Sequence, residues 1–173
     1  MNINNFFISV LAGLVMIFFL FKPLDLKQQD FIDVPLFELN QFTLYELDKV
    51  GLTTLMRGAN AIRYSNRYVT KDIDYTDNSR EYIANMKASN GIYQNDILNL
   101  DGDVTYIRED GLTFTTDKAI YNKKTNIAST DSDYVLFRGD NNHISGTSLS
   151  YNNILNRVES KYVIAKYKIG DKI

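Results

Sequence analysis

Apolar and polar side chains alternate with period two from Leu98 to Tyr106. Leu98, Leu100, Val104 and Tyr106 share one parity; Asn99, Asp101, Asp103 and Thr105 share the other. That period predicts a β-strand with one apolar and one wet face. Asp110-Gly111 supplies residues suited to a tight hairpin turn. After it Leu112 and Phe114 alternate with Thr113 and Thr115, so the pattern predicts a hairpin whose apolar side chains lie on one side. From Leu36 onward the same logic predicts β structure throughout. Phe42 and Leu44 alternate with Thr43 and Tyr45, and Tyr82, Ala84 and Met86 alternate with Ile83, Asn85 and Lys87. Residues 134–138 and 161–168 read as further strands. Turn-rich breaks fall at Asp77-Asn78-Ser79, Ser89-Asn90-Gly91, Asp101-Gly102, Lys123-Lys124-Thr125 and Gly139-Asp140-Asn141-Asn142. Residues 46–56, with Leu47, Val50 and Leu55, also admit a short helix.

A repeat of about 29 residues runs through this region. Tyr64, Tyr93, Tyr121 and Tyr151 stand 29, 28 and 30 residues apart, and Asn126 and Asn156 each follow their tyrosine by five. Each unit reads as a strand pair with a polar turn. Stacked pairs that cannot bury a face alone form an elongated core; chance recurrence in a chain rich in Tyr and Asn is the other reading.

The N-terminus follows a different pattern. Residues 6–21 are uncharged and carry Ser9 as their one polar side chain. Sixteen helical residues reach roughly 24 Å, and extension from Ile3 to Leu24 brings the segment to the ~30 Å of a hydrocarbon core. A transmembrane anchor over 1–22 is expected, with Phe6, Phe7, Leu11, Leu14, Ile17 and Phe21 among its lipid-facing side chains. No Lys or Arg precedes the segment and no small-x-small site follows it, which favours an uncleaved anchor over a signal peptide. Residues 23–35, holding both prolines, Pro23 and Pro35, read as a polar linker, and 36–173 as one β domain.

Composition narrows the function more than it names it. Hydrophobic residues make up 45% and charged residues 23% of the 173, the balance of a folded chain. A net charge of −2 gives no electrostatic case for nucleic acid. With no cysteine there is no disulfide framework or thiolate metal site. Neither a catalytic motif nor a metal or cofactor signature is present. The single histidine, His143, sits in a turn-like GDNNH. The acidic residues Asp101, Asp103, Glu109 and Asp110 could serve acid–base chemistry or Ca²⁺, but their place beside Gly102 and Gly111 suits solvated turns. Several tyrosines could stack on sugars or fill a core. No enzymatic activity is expected, and the apolar hairpin face is the feature that needs a purpose.

The run L-x-L-x-G-x-V-x-Y over 98–106, the turn with Gly111, and L-x-F-x-T-x-x-A-x-Y over 112–121 resemble the OstA-type β-jellyroll family of lipopolysaccharide transport. With the N-terminal apolar segment, the whole chain is similar to its membrane-anchored periplasmic branch, the LptC proteins. The resemblance implies a single-pass inner-membrane protein, its bulk periplasmic, with an elongated, twisted antiparallel jellyroll that is V-shaped and partly open. The basic residues near the helix, Lys22 and Lys27, follow it, whereas the family carries its basic residues before it. It implies a lumen that takes lipopolysaccharide acyl chains, for which parity nominates Leu98, Leu100, Val104, Tyr106, Leu112 and Phe114, with Tyr82 and Met86 behind them. It further implies lipid receipt from an inner-membrane ABC transporter at an N-terminal edge around Phe42 and Leu44. Delivery to a soluble bridge protein would occur at a C-terminal edge around Tyr162 and Ile164. The alternative expectation is a membrane-tethered, closed β-sandwich that binds or adheres without carrying lipid.

Overall fold

The computed structural model describes residues 3–20, 33–139 and 142–167. The chain divides into two units, residues 1–31 and 32–173. In the first, a helix α1 spans Ile3–Leu20. At 1.5 Å per residue its 18 residues extend about 27 Å. It has no acidic residue in its first turn and no basic residue in its last. Phe6, Phe7, Leu11, Leu14 and Ile17 lie on it and are exposed; Phe21 and most of the expected linker lie outside the described residues. Among the described residues no helix is long and apolar enough to cross a membrane.

The second unit is one nine-stranded antiparallel sheet in which each strand pairs with its sequence neighbours. Its strands are β1 (Phe37–Leu47), β2 (Leu52–Arg63), β3 (Tyr68–Asp77), β4 (Ala84–Gln94), β5 (Ile97–Arg108), β6 (Leu112–Asn122), β7 (Ile127–Arg138), β8 (Asn142–Asn152) and β9 (Arg157–Lys166). Among the described residues the order β1 to β9 leaves β1 and β9 as free edges. The mostly β, jellyroll-like character read from the sequence therefore holds. The residues that also admitted a helix, 46–56, form the β1–β2 hairpin instead. Asp48 closes its turn by accepting the N–H groups of Val50 and Gly51 at 2.7 and 2.9 Å.

Two expected turns are not turns. Ser89-Asn90-Gly91 lies within β4 and Asp101-Gly102 within β5, at register shifts in the β4–β5 and β5–β6 ladders. The strands are ten to twelve residues long, and the polar breaks in their middles are β-bulges. The actual β4–β5 turn is Asn95-Asp96, both with left-handed backbones (φ 51° and 63°), which short polar side chains tolerate. His143, expected in a turn, lies in β8 with its ring edge-on to Phe137, centroids 5.0 Å apart.

The breaks run through the sheet as a line. Gln41 of β1, Asp72 of β3, Asp103 of β5, Ser148 of β8 and Tyr162 of β9 all have φ near +50°. Further register shifts interrupt β6–β7 between Thr116 and Ile120 and β7–β8 between Thr130 and Asp133. Neighbouring breaks abut: a Cβ built on Gly102 would come 2.8 Å from that of Ser89. A bulge bends its strand and sharpens its twist, so each strand turns at the same level. The buried residues gather beside this line. Ile73, Ala88, Leu100 and Val104 form the core cluster, with Tyr134 buried on β7. Buried Thr116 and Thr130 meet at 3.1 Å, and Thr116 also donates to the Asp133 carbonyl at 2.8 Å, so these polar groups enter the core satisfied.

The 29-residue repeat is one hairpin. Tyr93, Tyr121 and Tyr151 each close a β-strand, and their hydroxyls donate to Asp96 (3.0 Å), Asn126 (3.0 Å) and Asn156 (3.2 Å). Asn126 and Asn156 take φ 53° and 49°, and the asparagines after the last two tyrosines, Asn122 and Asn152, accept the loop N–H groups. Adjacent loops continue the ladder through Lys123 N–H to Asp96 O and Asn153 N–H to Asn126 O, at 2.8 and 3.0 Å.

Gly91 lets Ile73 lie across the backbone of β4, and a Cβ there would overlap Ile73 Cδ1. Replacing Gly91 with Ala is expected to lower unfolding stability by about 1–3 kcal/mol through overpacking. Adding Ile73→Val, which removes the clashing methyl, is expected to make the double variant more stable than the two single changes sum to. Urea titrations of the four proteins check this.

Candidate functional site: an apolar row across nine strands

Residues paired directly across strands share a face. Following the register from edge to edge gives one chain of partners. Leu44 pairs with Met56, Met56 with Tyr75, Tyr75 with Met86 and Met86 with Tyr106. Tyr106 then pairs with Phe114, Phe114 with Leu136, Leu136 with Ile144 and Ile144 with Ala165. Every strand contributes one apolar or aromatic side chain, with no charge between the two free edges. At ~4.8 Å per strand the row is about 38 Å long.

The row is accessible. Val104, two residues nearer the line of bends than Tyr106, is 2% exposed, whereas the row's own residues are half-buried or exposed. Burial lifts the Tyr75 and Tyr106 hydroxyls above the ordinary tyrosine range, so both stay neutral and the row stays uncharged. Phe114 stacks on Tyr134 at 5.8 Å, bracing the row against the core.

The parity candidates divide among these layers. Tyr106, Phe114 and Met86 stand in the row. Leu100 and Val104 lie in the core cluster beneath it, and Leu98 packs on that cluster from the far side of the bends. Leu112 is one step outside the row, paired with Arg138. Tyr82 precedes β4, its ring under the Arg108 guanidinium at 4.9 Å. Phe42 lies across Gly58 and is half-buried, while Leu44, Tyr162 and Ile164 are exposed on the edge strands. Parity does not nominate Met56, Tyr75, Leu136, Ile144 or Ala165 for the lumen. Ile73 and Tyr75 do alternate with Asp72 and Asp74, a readable signal. Val135-Leu136-Phe137 is apolar on both parities and reveals no face.

One step beyond the row, on the same face, Ala84 pairs with Arg108 and Leu112 with Arg138. Arg108 grips Asp110 at two points, Nε to Oδ1 at 2.7 Å and Nη2 to Oδ2 at 2.6 Å. That contact holds the Asp110 carboxyl at about 2, well below the usual range. Beside this corner is a cavity of about 360 Å³ lined by Leu112, Leu136, Ile144, Tyr167, Arg138 and Asn142. Asp101 is not part of any acid pair; it meets Lys118 at 3.3 Å. Among the described residues no group of acidic or histidine side chains is placed to hold a metal.

The family model described as lipopolysaccharide-assembly, LptC-related, matches residues 8–161. The chain belongs to the LptC-related family. LptC-related proteins are non-enzymatic components of lipopolysaccharide transport, which agrees with a domain whose distinguishing feature is an apolar path. No curated protein matches the chain. In this LptC-related chain the match takes in α1 from Ile8, strands β1 to β8 and the first half of β9.

Asp110 gives a pH prediction. A carboxyl whose folded value lies below its unfolded 3.8 stabilises the fold above about pH 4, and that share is lost as pH falls towards 2. Thermal melting followed from pH 7 to 2 is expected to show this loss in the native chain and a flatter acid limb in Asp110→Asn.

Proposed function

We propose that the apolar row is an open trough that carries lipopolysaccharide acyl chains across the sheet, from the β1 edge to the β9 edge. The observation that carries this reading is the unbroken row from Leu44 to Ala165 on an accessible face. Exposing an acyl chain to water costs about 0.8 kcal/mol per CH₂, so a chain of a dozen such groups costs on the order of 10 kcal/mol. A continuous apolar surface offsets that cost at every step, and a shallow one without a deep pocket lets the lipid move on. The bends at mid-strand bring the two halves of each strand towards one another, and burial that falls away from the bends suits a V open at its rim.

In this reading the β domain stands in the periplasm. Phe6 to Phe21, uncharged, holds it to the inner membrane as a single pass, beside the transmembrane subunits of an ABC transporter that supplies the lipid. The β1 edge, with Phe42 and Leu44, takes lipid from the transporter's own β domain. The β9 edge, with Tyr162 and Ile164, pairs with a soluble bridge protein leading to the outer membrane. Among the described residues no strand covers the outer side of β1 or β9, and both carry exposed apolar side chains, the features that invite strand addition.

In-cell photocrosslinking tests the trough. A photoreactive residue at Tyr106 is expected to give a lipopolysaccharide adduct, and one at Thr105, on the opposite face, none. Adducts at both sites, or at neither in a folded, membrane-bound chain, overturn the trough; the latter leaves a tethered, closed binding module. Ile164→Lys tests the outgoing edge. Its side chain is exposed, so melting is expected to stay within ~0.5 kcal/mol of the native chain, while co-purification of the bridge protein is lost.

A further inference from the structure

The end of the sheet that carries the β5–β6 connection sets two arginines against one carboxylate. Arg108 satisfies Asp110 at two points, whereas Arg138 reaches the same Oδ2 only at 3.5 Å, with its side chain 64% exposed. Among the described residues one positive charge is therefore left over from this trio, on Arg138. Arg138 pairs across the sheet with Leu112 and Asn142, on the face of the apolar row and one step outside it. It stands on the rim of the 360 Å³ cavity whose apolar wall is Leu112, Leu136, Ile144 and Tyr167. Leu136 and Ile144 are themselves members of the row. A surplus cation and the apolar path thus meet in one cavity.

We infer that Arg138 recognises the phosphorylated head of a lipid whose acyl chain lies on Leu136 and Ile144. The inference rests on the trough reading above and adds a headgroup site to it. Charge decides between the two arginines. Arg108 cannot turn to an incoming anion without stripping Asp110 of its two-point partner. Arg138 can, because Asp110 stays paired when it leaves. A planar guanidinium suits phosphate oxygens, which it meets with two parallel charge-assisted hydrogen bonds. Exchange of Arg138 between Asp110 and phosphate makes the site reversible, as carriage requires.

The test uses the full-length chain in non-ionic detergent with two probes, diphosphoryl lipid A and the same lipid stripped of both phosphates. Arg138→Gln is expected to weaken the diphosphoryl lipid roughly tenfold and to leave the stripped lipid unchanged, with Arg138→Lys recovering part of the loss. Excess inorganic phosphate is expected not to displace the diphosphoryl lipid; displacement would identify a free-phosphate site and overturn the lipid assignment. An Arg138→Gln chain that binds both lipids as the native chain does, or loses both equally, overturns the role of Arg138. If the native chain binds both lipids equally well, the trough stands and the headgroup site falls. If it binds neither, the trough itself falls and takes the site with it.

Discussion

A single sheet nine strands wide has two faces, and the described residues of its own unit supply no second layer to bury either, so something must bend it. The line of bulges and left-handed residues through the strand middles does this. It concentrates what little dry core the domain has, from Ile73 through Ala88 and Leu100 to Val104, beside the bends. Residues further out along each strand have less to pack against. The same constraint that gives the domain its stability therefore leaves an apolar row half-covered. A fully closed sandwich would have buried Tyr106 and Phe114 as deeply as Val104; here the depth of burial depends on distance from the bend.

The polar chemistry follows from the same line. A strand that turns over needs residues that accept left-handed or bulged backbones, and short polar side chains do so most cheaply. Asp72, Asp103 and Ser148 fill that role, and Asp101 beside them pairs with Lys118. Of the four acidic residues weighed in the sequence, Asp101 and Asp103 lie at the bend of β5, whereas Glu109 and Asp110 lie in the β5–β6 turn. Tyr162 is the exception. A bulky residue at φ 50°, 85% exposed on a free edge, bears strain that the short polar residues avoid.

Much of this was legible in the sequence. The period-two pattern identified the β5–β6 hairpin and its apolar face, and the tyrosine spacing identified the hairpin repeat with its Asn126 and Asn156 turns. The two misplaced turns share one physical reason. Gly and Asp or Asn punctuate both turns and bulges, and local composition does not separate them. Ser89-Asn90-Gly91 and Asp101-Gly102 have the composition of chain reversals and are bends within continuous strands. The row was legible only in part, because it is a property of cross-strand register. Parity within a strand finds Met86, Tyr106 and Phe114, but only pairing across all nine strands shows that they are consecutive members of one path. Leu136 and Ile144 gave no such signal, since a run apolar on both parities and a strand of mostly polar residues each hide their inward face.

The hairpin repeat has a consequence for length. Each unit of about 29 residues adds two strands, hence about 10 Å to the row, at ~4.8 Å per strand. It adds them in pairs, so the strands at the two edges keep their directions and the chain still leaves from the same end of the sheet. A path built this way is measured in whole hairpins: its span changes by duplication or loss of a unit while both terminal surfaces stay as they are. Gene-level insertion or deletion of one repeat thus lengthens or shortens the row by one hairpin and leaves its ends unchanged.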